Sequence, residues 1–258
     1  MAADTEEMRS RWEKWGPYVA DRSWGTVRED DGRGKETWQA FPYEMAPYRC
    51  YRWGEDGVAG LCDRYQVLVL NHAFWNRKDP LLKERLYGLT PQQGNHGEDV
   101  KELYYYLDAT PTFSYLRFLY KFPLSPFPYD RLKEENTHRT LQDREFELVD
   151  TGIFAENRYI DVVIEYAKVS PDDIVVHLTF HNRSGHLAEF DYLAQLFFRN
   201  TWSPRGVTAP ALMHLASEGS EGISIVCDDR GIPLIDKLTM EYRLGRRYFY
   251  AEGGGIPL

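Results

Sequence analysis

A short polar segment, residues 94–102, carries the side chains of this sequence that are best suited to chemistry. It reads Gly-Asn-His-Gly-Glu-Asp-Val-Lys-Glu, so it places an amide, an imidazole and three carboxylates within nine residues. Glu, Asp and Lys are seldom buried unless they are paired, and a segment that only packs does not need this composition. A site for a polar substrate does need it. The alternative is a solvated loop that satisfies its own charges through an internal salt bridge.

The spacing of the carboxylates suggests acid–base catalysis but does not fix their geometry. On a helix, Glu98 and Glu102 share one face at i,i+4. On a strand, Glu98, Val100 and Glu102 share one face, with Asp99 and Lys101 on the other. An inverting glycosidase separates its two carboxyl groups by roughly 6.5–9.5 Å. The sequence leaves that distance open.

Other catalytic or metal-binding combinations have less support. His177 and His181 have a spacing that suits zinc on a helix, but on a strand four residues span roughly 13 Å, so we predict two surface histidines and no metal. A nucleophilic Cys50 or Cys62 paired with His96 is possible, although no feature of the sequence specifies it. No glycine-rich loop follows a strand and opens a helix, so nucleotide binding is not indicated.

The composition limits the class of protein. Of the 258 residues, 43% are hydrophobic and 28% charged, which predicts a soluble protein with a real core. A net charge of −9 argues against nucleic acid as a partner, because such binding demands a basic face. Aromatic residues make up 15%, and their rings either fill a β core or form stacking surfaces for sugar-like ligands.

Cysteine usage and the N-terminus predict a cytoplasmic location. The three cysteines are odd in number and lack the paired spacing of a zinc site or a disulfide framework, so we expect reduced thiols. The first 16 residues are charged and lack the apolar region of a signal peptide. No stretch approaches the roughly 20 apolar residues of a membrane span. We expect neither a cofactor nor a membrane partner.

The pattern of apolar residues predicts a mainly β, antiparallel sandwich with long loops. An amphipathic helix is predicted over Asp4–Trp15. Residues 1–145 are rich in loops, and residues 146–258 alternate regularly, with short turns between strands. Strands are predicted at residues 66–70, 103–107, 159–166, 174–181, 188–199, 222–228 and 246–251.

Several motifs in a fixed order resemble one protein family. They are Trp15–Tyr18, Trp24–Asp30, Tyr51–Gly57, Phe74–Asn76 with Lys78–Pro80, Lys83–Thr90, Asn95–Glu102 and Phe198–Trp202. Together they span nearly the whole chain. The sequence resembles the bacterial branch of glycoside hydrolase family 63, which is related to processing α-glucosidase and mannosylglycerate hydrolase.

This resemblance implies an N-terminal super-β-sandwich that is normally followed by an (α/α)6 barrel. The family cleaves α-glycosidic bonds with inversion, and its general acid and general base are carboxylates of the barrel. The chain matches the sandwich and ends soon after a predicted strand, so we expect the barrel and the catalytic pair to be absent from it.

The resemblance also implies that loops of the sandwich form the wall of the substrate pocket. For every residue of this wall, the alternative is a salt bridge between domains or a hydrogen bond that braces a loop. The predicted wall residues are Arg28, Asp30, Arg52, Glu55, Asp56, Trp75, Asn95, His96, Glu98 and Asp99.

Two functions remain open. The first is the N-terminal part of an α-glycosidase, with a carbohydrate substrate and the missing catalytic barrel as partners. The second is a free-standing carbohydrate-binding or interaction module without catalysis. The fold alone cannot decide between them.

Overall fold

The chain is mainly β and antiparallel, as the sequence predicts. The computed structural model describes residues 2–17, 58–80, 103–140, 142–144, 146–198, 212–219, 222–232 and 241–252. The elements are α1 (Ala2–Trp12), β1 (Trp15–Pro17), β2 (Val58–Asp63), β3 (Leu68–Trp75), β4 (Tyr104–Ala109), β5 (Tyr115–Pro123), α2 (Tyr129–His138), β6 (Tyr159–Ser170), β7 (Asp173–Asn182), β8 (Asp191–Phe198), β9 (Leu212–Gly219), β10 (Gly222–Asp228) and β11 (Arg246–Glu252). Two short 3-10 helices cover Leu148–Thr151 and Ala155–Asn157.

The chain divides into two compact units, residues 1–197 and 198–258. The first unit contains two four-stranded sheets, with strand orders β1-β2-β3-β8 and β4-β5-β6-β7. Both sheets contribute to one hydrophobic cluster, which includes Leu61 and Phe74 from the first sheet and Phe118 and Ile164 from the second. The first unit is therefore a β-sandwich, because two sheets share one core.

The alternation in the second half of the sequence predicts β6 and β7 correctly. Ile164 pairs with Leu178 across these antiparallel strands, and Ile164 is fully buried. The residues between the core positions face the other side of the sheet and carry charge, as Asp161 and Glu165 do. His177 lies on β7 opposite Glu165, which confirms that this histidine is on a strand.

The hairpin between β2 and β3 is closed by a buried carboxylate. Asp63 is fully buried, and its Oδ1 accepts hydrogen bonds from the amides of Val67 at 2.7 Å and Leu68 at 2.9 Å. Its Oδ2 accepts from the amide of Tyr65 at 3.0 Å. Gln66 lies in this turn with a positive φ of 57°, so β3 begins at Leu68 rather than at the predicted residue 66.

The N-terminal helix is shorter than predicted. It ends at Trp12, and Trp15 belongs to β1 because its backbone pairs with Asp63 of β2. The side chain of Trp15 is buried, and its indole N–H donates to Asp172 Oδ1 at 3.1 Å. Gly16 lies directly against the ring of Phe113, and a Cβ at this position would come within 2.8 Å of that ring. Part of the Trp15–Tyr18 motif is thus explained by packing.

Another predicted strand boundary is wrong, and several elements were not predicted. The strand predicted to start at residue 188 begins at Asp191. No strand was predicted at β1, β2, β5 or β9, and no helix was predicted at α2.

The second unit contains a three-stranded antiparallel sheet with the order β11-β10-β9. Gly222 begins β10 with a φ of 136°, and a Cβ there would collide with the carbonyl of Ala251, so this position requires glycine. The predicted strands at residues 222–228 and 246–251 correspond to β10 and β11. None of the helices described in either unit is long and apolar enough to cross a bilayer.

Candidate functional site

Nine of the ten predicted wall residues lie outside the described residues, so their positions stay predictions. They are Arg28, Asp30, Arg52, Glu55, Asp56, Asn95, His96, Glu98 and Asp99. Trp75 is described and lies at the last position of β3, where it is half-buried. Its indole N–H donates to the carbonyl of Asp79 at 3.1 Å. The indole nitrogen, the polar atom of this side chain, is therefore already hydrogen-bonded within the protein.

The described residues that flank the predicted site segments meet at one end of the sandwich. Val58, which follows the Tyr51–Gly57 motif, pairs with His72, only three residues before Trp75. Pro17 pairs with Leu61 in an antiparallel ladder, so β1 leads toward the same end.

The second sheet reaches this end through its first strand. Tyr104 begins β4, and its hydroxyl accepts a hydrogen bond from the amide of Ala59 at 2.9 Å. We call this region the loop end, marked by Pro17, Val58, Trp75 and Tyr104. Residues 18–57 and 81–102, which carry four of the quoted motifs, lie outside the described residues, and described residues that flank them mark the loop end.

A β-bulge lies at the loop end. The register between β2 and β3 shifts between Val58 and Leu61, and Ala59 has a positive φ of 50°. Bulges and residues with positive φ are over-represented next to functional sites. Tyrosine hydroxyls hold this backbone in place, because Tyr104 accepts from the amide of Ala59 and Tyr166 donates to its carbonyl at 2.6 Å.

His72 connects the two sheets beneath the bulge. The hydroxyl of Tyr166 has one proton, which it donates to Ala59, so it accepts from His72 Nε2 at 2.7 Å. The neutral imidazole then carries its proton on Nε2, and Nδ1 accepts from the hydroxyl of Tyr192 at 2.8 Å. We call this chain of hydrogen bonds, from Tyr192 through His72 and Tyr166 to Ala59, the His72 relay.

The His72 imidazole is suited to a structural role rather than to proton transfer with a substrate. Its side chain is 1% exposed, and burial lowers its pKa to about 3. A general base works best with a pKa near the operating pH. His72 therefore stays neutral at physiological pH and fixes β3 against β6 and β8.

A turn with two buried polar side chains, Asn76 and Asp79, follows Trp75 and is hydrogen-bonded to the loop after β5. The Oδ1 of Asn76 accepts from the amides of Lys78 and Asp79, both at 2.9 Å. Its Nδ2 donates to Asp79 Oδ2 at 3.0 Å and to the carbonyls of Pro123 and Ser125. We call residues 75–80 the Asn76 turn. Its amide side chain is almost fully satisfied by protein groups, so the turn is a rigid support for Trp75.

Two further contacts hold the Asn76 turn. The carboxylate of Asp79 accepts from the amide of Phe127 at 2.7 Å. Arg77 donates to both carboxylate oxygens of Asp191, at 2.9 and 2.7 Å. The hydrogen bond from Arg77 lowers the pKa of Asp191, so this pair stays charged at neutral pH.

Two carboxylates on the outer face of the second sheet, Asp161 and Glu165, are the described acidic groups most like a catalytic pair. Asp161 accepts from Lys121 at 3.0 Å and from Arg183 at 2.7 Å. Burial acts to raise the pKa of Asp161, but these hydrogen bonds outweigh it and hold the pKa below its ordinary value.

Glu165 has a similar environment. A hydrogen bond from Tyr115, followed by the nearby Arg117, lowers its pKa. A general acid needs a raised pKa, which neither carboxylate has. The two side chains are also four residues apart on one strand, roughly 13 Å, which exceeds the separation in an inverting glycosidase. This arrangement braces the sheet.

The thiol of Cys62 does not fit the cysteine–histidine alternative. It is buried, and burial raises its pKa well above the ordinary value, so little reactive thiolate forms at neutral pH. Cys50 and His96 lie outside the described residues. Groups of three or more metal-ligating side chains are not found in the described part of the chain.

The His72 relay was not predicted from the sequence, and the Asn76 turn was predicted only as part of a motif. The signal for both was present. Asn71, His72 and Asn76 are polar residues in or directly after a strand that is otherwise apolar. A buried polar side chain must find hydrogen-bond partners, so such positions mark a network.

Comparisons with known proteins identify a curated relative in yeast. No family model matches this chain, and no solved structure matches it. An uncharacterized protein of the yeast Saccharomyces cerevisiae is 50% identical over 202 residues, which cover 74% of this chain and 19% of the yeast protein. The chain thus spans about a fifth of the length of the curated relative that it matches.

Proposed function

We propose that this chain is the N-terminal part of an inverting α-glycosidase of the glucosidase type, acting in the cytoplasm on α-linked oligosaccharides or glycosides. In this proposal the loop end supports and walls the substrate pocket. The general acid and general base belong to a catalytic barrel carried by another part of a longer protein. One protonates the leaving oxygen, and the other activates water on the opposite face of the sugar.

The observation that carries this proposal is the convergence of the flanking residues at the loop end. Val58, Trp75 and Tyr104 follow or precede segments that contain predicted wall residues, and all three lie at one end of the sandwich. Binding residues are commonly placed on loops that a rigid scaffold positions. The relative's length also fits, because 81% of the yeast protein lies outside the matched segment and leaves room for a barrel.

The chemistry of the loop end suits a pocket wall more than a reaction centre. The hydrogen-bonding atoms of His72, Asn76 and Asp79 already contact protein groups. Hydrogen-bond networks of this kind hold the residues that contact a substrate within the narrow range of positions that catalysis needs. The face of the Trp75 indole, whose N–H is held by Asp79, is available in this proposal to stack on a sugar ring.

The test uses the yeast relative and a chimera in which this chain replaces the matched segment. We expect the full-length relative to hydrolyse α-linked glucosides or mannosides, and proton NMR to show the β-anomer as the first product. In the chimera, Trp75→Ala should lower kcat/KM by roughly tenfold or more, because the wall no longer orients the substrate.

Trp12→Ala is the matched control, since Trp12 lies at the end of α1 and not at the loop end. It should leave kcat/KM within about twofold. Absence of hydrolysis across gluco- and manno-configured α-linked substrates would refute the proposal. A retained anomeric configuration would refute the inverting mechanism.

The second candidate, a free-standing carbohydrate-binding or interaction module, is favoured by one observation. Two exposed tyrosines, Tyr248 and Tyr250, lie side by side on β11 in the second unit. A chain that binds sugar, together with a full-length relative that hydrolyses none, would support this candidate instead.

A further inference from the structure

Tyr248 and Tyr250 form a flat aromatic surface on the sheet of the second unit. Their ring centroids are 6.1 Å apart, and the ring planes differ by only 14°. The two residues are 52% and 69% exposed. Large aromatic side chains this exposed contribute little to a core, and parallel rings present one continuous face to a ligand.

The two rings lie beside a buried valine and several polar residues. Tyr250 pairs with Ser224 and Tyr248 with Val226 across β10, and antiparallel partners share one face of a sheet. The hydroxyl of Ser224 lies 2.7 Å from that of Ser217 on β9, so these two hydroxyls are on the tyrosine side. His214 pairs with Val226 and extends the same row. We call this surface the tyrosine platform, comprising Tyr248, Tyr250, Ser217, Ser224 and His214.

One end of the tyrosine platform carries a carboxylate whose charge is balanced by two arginines. Asp228 pairs with Arg246, whose Nε lies 3.8 Å from its Oδ2, and Arg230 donates to both of its carboxylate oxygens. The hydrogen bonds from Arg230 hold the pKa of Asp228 well below its ordinary value, so the group stays ionised. Carboxylate and guanidinium groups together accept and donate hydrogen bonds, as sugar hydroxyls require.

A pyranose ring matches this arrangement chemically. Its axial C–H bonds form an apolar face that stacks on an aromatic ring, and its hydroxyls project from the rim toward neighbouring polar groups. Two parallel rings in a row fit two consecutive sugar units. A nucleic-acid strand also stacks on aromatic rings, but it requires a positively charged groove, and the chain carries a net charge of −9.

We propose that the tyrosine platform binds a neutral oligosaccharide by stacking two consecutive pyranose rings on Tyr248 and Tyr250. The class of ligand rests on the proposed function, whereas the site itself rests on the geometry of the second unit. The platform supplies binding and no chemical step. It would hold a chain of sugars on the protein independently of hydrolysis.

The test measures binding of maltoheptaose to the 258-residue chain by isothermal titration calorimetry, with maltose as a short comparison ligand. We expect saturable binding of maltoheptaose and weaker binding of maltose. Tyr248→Ala and Tyr250→Ala should each weaken binding roughly tenfold, since each removes one stacking face. A heptasaccharide of β-1,4-linked mannose tests whether another neutral pyranose chain is accepted.

Tyr248→Phe and Tyr250→Phe are the matched controls because they keep the ring and remove only the hydroxyl. Both should bind within about threefold of the parent chain, a difference under 1 kcal/mol. No binding of either heptasaccharide, or binding that the alanine variants leave unchanged, would overturn the proposal. So would a surface covered by a second copy, seen as a dimer in sedimentation that the alanine variants convert to monomer without any sugar binding.

This experiment is independent of the test of the proposed function. Sugar binding that depends on both rings would stand even if the yeast relative hydrolysed no glycoside. Hydrolysis by the relative would stand if the tyrosine platform bound no sugar.

Discussion

The His72 relay and the tyrosine platform use the same type of residue in opposite ways. In the relay, Tyr166 is 1% exposed, and its hydroxyl is engaged by His72 and Ala59. In the platform, Tyr250 is 69% exposed and its ring faces solvent. A tyrosine in a sequence can therefore brace the core or present its ring to a ligand. Burial and hydrogen bonding of the hydroxyl distinguish the two roles.

The two regions also differ in whether their side chains are fixed by protein contacts or exposed to a ligand. The relay holds a strained bulge at Ala59, where φ is positive, and it connects strands of both sheets. The buried polar atoms of His72 and Tyr166 are already hydrogen-bonded within the protein, so these two side chains hold the strands together. The two rings of the platform are more than half exposed, so they are available for a ligand. Substitutions should therefore affect folding in the first region and binding in the second.

The largest expected effect comes from deleting the centre of the relay. His72→Ala removes a fully buried ring and two hydrogen bonds, and it leaves the hydroxyl of Tyr192 without its partner. We expect the free energy of unfolding of the first unit to fall by about 3–5 kcal/mol. Urea denaturation followed by circular dichroism measures this. A loss below about 1 kcal/mol would show that the relay does not brace the sandwich.

The second effect is a dependence of stability on pH. The pKa of His72 is about 3 in the folded chain, against about 6.5 in the unfolded chain. Between these values the unfolded chain binds a proton that the folded chain does not, so stability falls as pH decreases from 6.5 toward 3 and is unaffected above that window. We expect a loss of about 2–3 kcal/mol between pH 6.5 and pH 4.5, at about 1.4 kcal/mol per pH unit.

His72→Gln is the control for this pH dependence, because its amide is neutral throughout the window. The difference between the two unfolding curves isolates His72 from carboxylates that titrate in the same range. NMR titration of the ring protons gives a second measurement that needs no variant. A His72 ring that titrates with a midpoint near 6.5 would contradict the buried, neutral imidazole.

Regular alternation was the part of the fold that the sequence predicted best. Strands β6, β7, β10 and β11 fall where the alternation places them, because a half-buried strand repeats every two residues. Trp15 was assigned to the helix because it continues the helical spacing of Met8 and Trp12. Its backbone pairing with Asp63 of β2 places it in β1 instead. Local spacing contains no information about such a partner.

The candidate site was less predictable for the same reason. The sequence identified a polar cluster and a series of motifs, and Trp75 is the predicted wall residue that the structure describes. The loop end itself follows from strand pairing, in which Val58 lies opposite His72. Pairing depends on contacts between distant parts of the chain, and single-residue propensities do not encode them. The tyrosine platform was likewise invisible, because Tyr248 and Tyr250 alternate as any strand residues do.

The smallest expected effect compares the relay and the platform most directly, because the same change, tyrosine to phenylalanine, is made in both regions. Tyr166→Phe removes the hydroxyl that accepts from His72 and donates to Ala59, leaving two buried polar groups unsatisfied. It should lower the free energy of unfolding by about 2 kcal/mol. Tyr250→Phe removes an exposed hydroxyl and should change it by less than about 0.5 kcal/mol. Losses of about 2 kcal/mol in both variants would mean that Tyr250 is buried in solution against another surface, which would remove the basis for the tyrosine platform. Equal and negligible losses would instead show that the Tyr166 hydroxyl is replaced by water, so that the relay does not fix the bulge at the loop end.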